Sequence, residues 1–90
     1  MNYRLKYLDL YYAVENYVEE TSRNNANFSK PTEIINVCSF ELPNVDENKV
    51  RVVFKGRLST NIIHILKKGI DKQAEKHNFV IVYGNTVGYF

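Results

Sequence analysis

The feature that most constrains the fold of this chain is an alternation of apolar and charged residues over positions 49–57. Val50, Val52 and Phe54 have one parity, and the other parity is held by Lys49, Arg51, Val53, Lys55 and Arg57. Because successive side chains of a strand point to opposite faces of a sheet, this pattern predicts a half-buried β-strand. Its outer face would carry four cations in a row.

An amphipathic helix is predicted directly after this strand. Ser59 is the best candidate for its N-cap, and Asn78 is expected to end it. The expected buried stripe consists of Ile62, Ile63, Leu66, Ile70 and Ala74. The opposite face carries cations at Lys67, Lys68 and Lys72. Gly69 costs helix stability, up to about 1 kcal/mol relative to Ala, which indicates either a close packing contact or a slightly weak helix.

A second helix is predicted over residues 2–22, where most of the tyrosines lie. Its packing face consists of Tyr3, Tyr7, Leu10, Val14, Tyr17 and Val18. Apolar surface beyond the needs of one face is added by Leu5, Leu8, Tyr11 and Tyr12. Tyrosine suits both the edge of a core and an interface, so two alternatives stand. If the tyrosines form an interface, we expect it to include Tyr3, Tyr7, Tyr11, Tyr12, Tyr17, Tyr83 and Tyr89.

Two further segments have the composition of strands. Residues 33–42 are rich in β-branched side chains, but the apolar parity changes after Val37. We therefore expect either a bulge or a strand that is apolar on both faces near its start. Residues 79–83 form a short apolar run, and Gly84-Asn85 predicts a hairpin turn into residues 86–90.

These elements predict a single α+β domain over residues 1–90, in the order α-β-β-α-β-β. The expected architecture is a two-layer sandwich, with two helices on one face of a three- to four-stranded antiparallel sheet. Two helices cover only one face, so we expect an apolar patch to stay open beside the cationic row. Exposed patches of several hundred Å² usually bind a partner, and a homodimer is the simplest form of that contact.

The charge of the chain is unevenly distributed. Residues 1–48 carry four Lys or Arg against eight Asp or Glu, whereas residues 49–76 carry eight against two, within a total of +2. A domain charged in this way can dock an anionic partner through its basic side. The alternative is that the two halves pair with each other across the fold.

No combination of residues predicts an enzyme. Cys38 with His64 or His77 would form a catalytic pair only if the fold brought them together, and a cysteine in an apolar strand is usually inert. The two histidines do not have metal-ligand spacing. Glu47-Asn48-Lys49 matches half of a nuclease signature, but a hairpin loop is the better interpretation. We expect neither a metal nor a cofactor.

These observations predict a small interaction protein, an inhibitor or adaptor, rather than an enzyme. We expect its partner to be acidic or to bind nucleic acid, and the contact residues to be Lys49, Arg51, Lys55, Arg57, Lys67, Lys68 and Lys72. The alternative is direct binding of DNA or RNA through the cationic strand face. The abundance of Asn, Lys, Ile and Tyr suits an AT-rich phage or bacterial genome.

The expected location is the cytoplasm, that of the host cell if the protein is phage-encoded. Cys38 is the single cysteine, which excludes an internal disulfide and fits a reducing compartment. No apolar run approaches the roughly 20 residues that span a bilayer, so no membrane contact is expected.

Overall fold

The computed structural model describes residues 1–84, which contain two α-helices and three β-strands. The helices are α1 (Arg4–Asn24) and α2 (Thr60–Lys76). The strands are β1 (Cys38–Glu41), β2 (Lys49–Phe54) and β3 (Val80–Tyr83), and a short 3₁₀ helix (Ile34–Asn36) precedes β1. The prediction of an α+β fold is confirmed.

The sheet is mixed, with the strand order β1-β2-β3. β1 and β2 are antiparallel, as predicted, whereas β2 and β3 are parallel. The prediction of a fully antiparallel sheet is therefore wrong. A parallel pair needs a crossover of about a dozen residues or more, and α2 supplies it with 17 residues. The predicted hairpin into residues 86–90 lies outside the described residues.

The change of parity before β1 has a local cause. The backbone N–H groups of Asn36 and Val37 donate to the carbonyl oxygens of Glu33 and Ile34, at 3.0 and 3.1 Å. This single 3₁₀ turn brings Ile34 and Val37 into the core before the strand begins. Neither a bulge nor a two-faced strand is needed to explain the sequence of this segment.

One hydrophobic core lies between the helices and the sheet. It contains Leu10, Val14 and Val18 from α1, Leu66, Ile70 and Ala74 from α2, and Val50, Val52 and Phe54 from β2. Burial of a Val, Leu or Ile side chain contributes about 1.5–3 kcal/mol. The regular spacing of these residues places them on one face of each element. Their burial confirms the predicted stripes.

α1 and α2 touch at Gly69. The Tyr17 ring packs so closely against this glycine that a Cβ atom there would lie 2.0 Å from Cζ of the ring. The Tyr17 hydroxyl donates to the carbonyl oxygen of Ile65, one turn earlier in α2, at 2.9 Å. Gly69 therefore marks a close helix contact, the first of the two predicted alternatives.

The ends of α2 follow the sequence signals. The Ser59 hydroxyl accepts a hydrogen bond from the Ile62 N–H at 3.2 Å, as an N-cap does. Asn78 has a φ of 61°, and its N–H donates to the Glu75 carbonyl oxygen at 3.3 Å. The Phe79 N–H reaches back to the Ala74 carbonyl oxygen at 2.9 Å, which completes a Schellman motif.

α1 also closes the edge of β1. The Tyr7 hydroxyl donates to the Phe40 carbonyl oxygen at 2.6 Å. Phe40 lies opposite Val52, whose own carbonyl accepts from the Gly84 N–H on the β3 side. The Phe40 carbonyl therefore points away from β2, so Tyr7 satisfies an acceptor that the sheet leaves unpaired.

Candidate functional site

The face of the sheet turned away from the helices is the candidate site. Strand register places seven residues on this open sheet face: Ser39, Glu41, Lys49, Arg51, Val53, Val80 and Val82. Their neighbours Val50 and Val52 point the other way, into the core. Six of these seven residues are exposed, and Val53 is partly buried.

Valines form the apolar part of the open sheet face. Val80 is 52% exposed and Val82 is 48% exposed, and Val53 lies beside them, partly buried. Val53 contacts the backbone near Gly84, where a Cβ atom would be 3.0 Å from its Cγ2. These valines leave apolar surface in contact with solvent beside the charged side chains of Glu41, Lys49 and Arg51.

The cations of this face are not equivalent. Arg51 donates through Nε and Nη2 to Oε1 of Glu41, its partner across the strands, at 2.9 and 2.6 Å. Both side chains are about half exposed, so this ion pair adds little stability, in the range of about 0–1 kcal/mol. The Glu41 carboxylate does offset the positive charge of Arg51. Within residues 1–84, Lys49 and Lys55 have no such ion pair and are available to an external anion.

The predicted basic residues do not form one surface. Lys49 and Arg51 project from the open sheet face, and exposed Lys55 continues their parity past the end of β2. Arg57 lies in the turn that follows. Lys67, Lys68 and Lys72 belong to α2, on the other side of the sheet, and all three are exposed.

Lys67 is already engaged within the fold. Its Nζ atom lies over the Tyr83 ring, 4.7 Å from the centroid. The Tyr83 hydroxyl donates to Oδ1 of Asp71 at 2.6 Å, and burial together with this bond raises the Tyr83 pKa. Lys67, Asp71 and Tyr83 thus fasten β3 to α2.

Most of the predicted interface tyrosines pack against the core. Tyr3 meets Phe79 edge-on at 5.8 Å, and Tyr7 and Tyr11 both contact Phe40. Burial, with charge repulsion from Tyr11 and Glu41, raises the pKa of Tyr7 to about 12. The interface hypothesis remains a prediction for these residues, and Tyr89 lies outside the described part of the chain.

The candidate catalytic residues show no arrangement typical of an active site. Burial raises the pKa of the Cys38 thiol to about 12, against the opposing charge of Lys55, so the thiol is protonated at neutral pH. Nδ1 of His77 donates to the Gln73 carbonyl oxygen at 2.8 Å, and His64 is exposed on α2. In residues 1–84 no group of three or more His, Cys, Asp or Glu side chains could hold a metal ion.

The triplet Glu47-Asn48-Lys49 serves the loop between β1 and β2. The Glu47 N–H donates to the Asn44 carbonyl oxygen at 3.1 Å, and the Asn48 side chain donates to the Asn78 carbonyl oxygen at 3.0 Å. A shallow depression with Pro43, Lys49 and Val82 in its wall opens beside this loop. It extends the open sheet face toward the loop.

Val80 and Val82 were not among the predicted site residues. The signal that could have identified them is the uninterrupted apolar run at 79–83, which leaves apolar side chains on both faces of β3. Once β3 is placed beside β2, residues 80 and 82 must lie on the same face as Lys49 and Arg51.

Comparison of the chain with models of known protein families finds no matching family, and comparisons with curated proteins and with solved structures also find no match. Neither helix in the described residues is both long enough and apolar enough to cross a membrane.

Proposed function

We propose that this protein is a non-enzymatic binding domain, an inhibitor or adaptor, that docks onto a protein partner through its open sheet face. One observation carries the proposal: half-exposed Val80 and Val82 lie in the same surface as Lys49, a cation without an ion-pair partner among residues 1–84. Apolar side chains supply affinity when they are buried, while charges direct the encounter and select the partner.

The chemistry of the open sheet face supports one kind of partner over others. Val53, Val80 and Val82 require an apolar patch, and Lys49 and Lys55 require carboxylates at its margin. Glu41 does not oppose such a partner, because Arg51 already pairs with it. An acidic protein, including one whose acidic surface imitates nucleic acid, fits this arrangement.

The abundance of Asn, Lys, Ile and Tyr suits an AT-rich phage or bacterial genome. The most specific form of the proposal is therefore a phage-encoded inhibitor that acts in the host cytoplasm.

Direct binding of DNA or RNA is supported less well. Arg51 is paired with Glu41, and the cations of α2 project from the opposite side of the molecule. No aromatic side chain from residues 1–84 lies on the open sheet face to stack with a base. Phosphate contacts would therefore rest on Lys49 and Lys55 with little apolar or stacking support.

An affinity measurement with defined ligands tests the proposal. Peptides that combine acidic and apolar residues are selected from a displayed library, and their affinity for the domain is compared with that of single- and double-stranded DNA and RNA. We expect the double variant Lys49→Glu, Lys55→Glu and the single variant Val82→Glu each to lower peptide affinity at least about tenfold.

Matched controls keep this outcome specific. Lys68→Glu with Lys72→Glu makes the same charge change on α2, and Val82→Ile keeps an apolar, β-branched side chain, so both should bind nearly as the natural chain does. Nucleic-acid binding that falls steeply between about 50 and 200 mM salt, with no selectable peptide, would contradict the proposal.

A further inference from the structure

α1 has a second apolar face that points away from the core. Leu5 is 77% exposed, Leu8 is 39% exposed and Tyr12 is 58% exposed. With 3.6 residues per turn, these three residues lie on the side of α1 opposite its buried residues Leu10, Val14 and Val18. We call Leu5, Leu8 and Tyr12 the outer strip of α1.

The fold of residues 1–84 does not explain the outer strip. A surface helix of a globular protein has one apolar stripe, and that of α1 is already buried. The spacing of Leu5, Leu8 and Tyr12 is i, i+3 and i+7, which is the a-d-a spacing of a heptad seam between two helices. This spacing favours a helix as the occupant of the strip.

Charges beside the outer strip favour α1 of a second copy of this chain as the helix that occupies it. Arg4 precedes the first seam residue and Asp9 follows Leu8, so they flank the seam on opposite sides as positions g and e. In a parallel pair of helices, position g of one helix faces position e of the next heptad in its partner, five residues further on. Arg4 of each copy would therefore meet Asp9 of the other.

We propose that two copies of this chain associate through the outer strips of their α1 helices, parallel and related by a two-fold axis. Leu5, Leu8 and Tyr12 would each meet the same residue of the second copy, with an Arg4–Asp9 ion pair on either side. Within residues 1–84 neither Arg4 nor Asp9 has an ion-pair partner of its own. An antiparallel pair would match position g with g and e with e, and would leave these charges without opposite partners.

The length of this contact is limited by Glu15. It occupies the seam position after Tyr12, where two copies of a carboxylate would repel each other. The helices therefore separate beyond Tyr12, and the dimer dissociates on dilution. The open sheet face lies on the other side of the molecule and stays free to bind a partner.

Sedimentation over a range of concentrations tests the dimer. The natural chain should pass from monomer to dimer as concentration rises, and Leu8→Glu should remain a monomer while keeping its far-UV circular dichroism. Arg4→Glu and Asp9→Lys should each weaken the dimer at least about tenfold, and the double variant should restore it. Val82→Glu is the control on the open sheet face and should dimerise normally.

Three results would overturn the inference. The first is that the natural chain stays monomeric to the limit of its solubility. The second is that Val82→Glu disrupts the dimer whereas Leu8→Glu does not. The third is that the monomer binds anionic lipid vesicles through Leu5 and Leu8. Failure of rescue by the double charge variant would overturn the parallel orientation. None of these results bears on peptide binding by the open sheet face, so the two proposals can fail separately.

Discussion

At the scale of single residues, Gly69 shows that a packing contact can outweigh helix propensity in deciding which residue a position holds. Alanine would favour the helix by up to about 1 kcal/mol, yet the Tyr17 ring occupies the space that a Cβ atom would need. The ring cannot move freely, because its hydroxyl is bonded to the Ile65 carbonyl oxygen. The sequence offered a close contact as one of two alternatives, but could not name Tyr17 as the neighbour.

Gly69→Ala should therefore destabilise the protein. We expect a loss of about 1–3 kcal/mol in the free energy of unfolding, because overpacking outweighs the gain in helix propensity. Urea denaturation measures the effect. In the Tyr17→Ala background the same substitution should be neutral or stabilising, and equal losses in both backgrounds would contradict the proposed contact.

Cys38 should make the free energy of unfolding fall with rising pH in the alkaline range. Burial raises its folded pKa from 9.0 to about 12, so the unfolded thiol loses its proton first as pH rises. The stabilising contribution is complete below about pH 9 and is lost as the pH approaches about 12. Urea denaturation from about pH 8 to pH 10 should show falling stability, with a smaller slope for Cys38→Ala. Identical slopes would show that the thiol is not the titrating group.

At the scale of elements, the segments with a regular period were predicted well. The alternation at 49–54 and the stripes of both helices follow from burial of one face, which the sequence records directly. The segment 33–42 was predicted as one strand because a single 3₁₀ turn leaves only a change of parity in the sequence. Three residues of 3₁₀ helix are too few to show a period of their own.

Asn78 sets the end of α2 and the entry into β3. Its left-handed backbone costs an ordinary side chain about 1–2 kcal/mol, whereas glycine adopts it freely. Asn78→Ala should lower the free energy of unfolding by about 1 kcal/mol, and Asn78→Gly should leave it unchanged or raise it slightly. Thermal denaturation of the two variants compares them, and equal effects would contradict a role for the left-handed conformation.

At the scale of the whole molecule, the main difference from the sequence prediction is the direction of β3. An apolar run followed by Gly84-Asn85 favoured a hairpin, and local patterns do not report which strand a distant segment will join. The strand–helix–strand order of residues 49–83 was the signal for a parallel unit. This direction matters for the site, because it brings Val80 and Val82 beside Lys49 and Arg51.

The division of the basic residues also emerges only at this scale. The sequence grouped the cations of β2 and α2 in one segment, but the sheet lies between them. The open sheet face therefore has few free charges and more apolar surface than the sequence suggested. This balance is why we favour a protein partner over nucleic acid.

The most direct test of the open sheet face as the binding surface is an amide NMR titration of the domain with a selected acidic–apolar peptide. We predict that the largest shift changes fall on the open sheet face, at Val53, Val80 and Val82, and that Val82→Glu removes them while Lys68→Glu does not. Shift changes centred on the exposed face of α2, or unchanged binding by Val82→Glu, would contradict the assignment of the open sheet face as the binding surface.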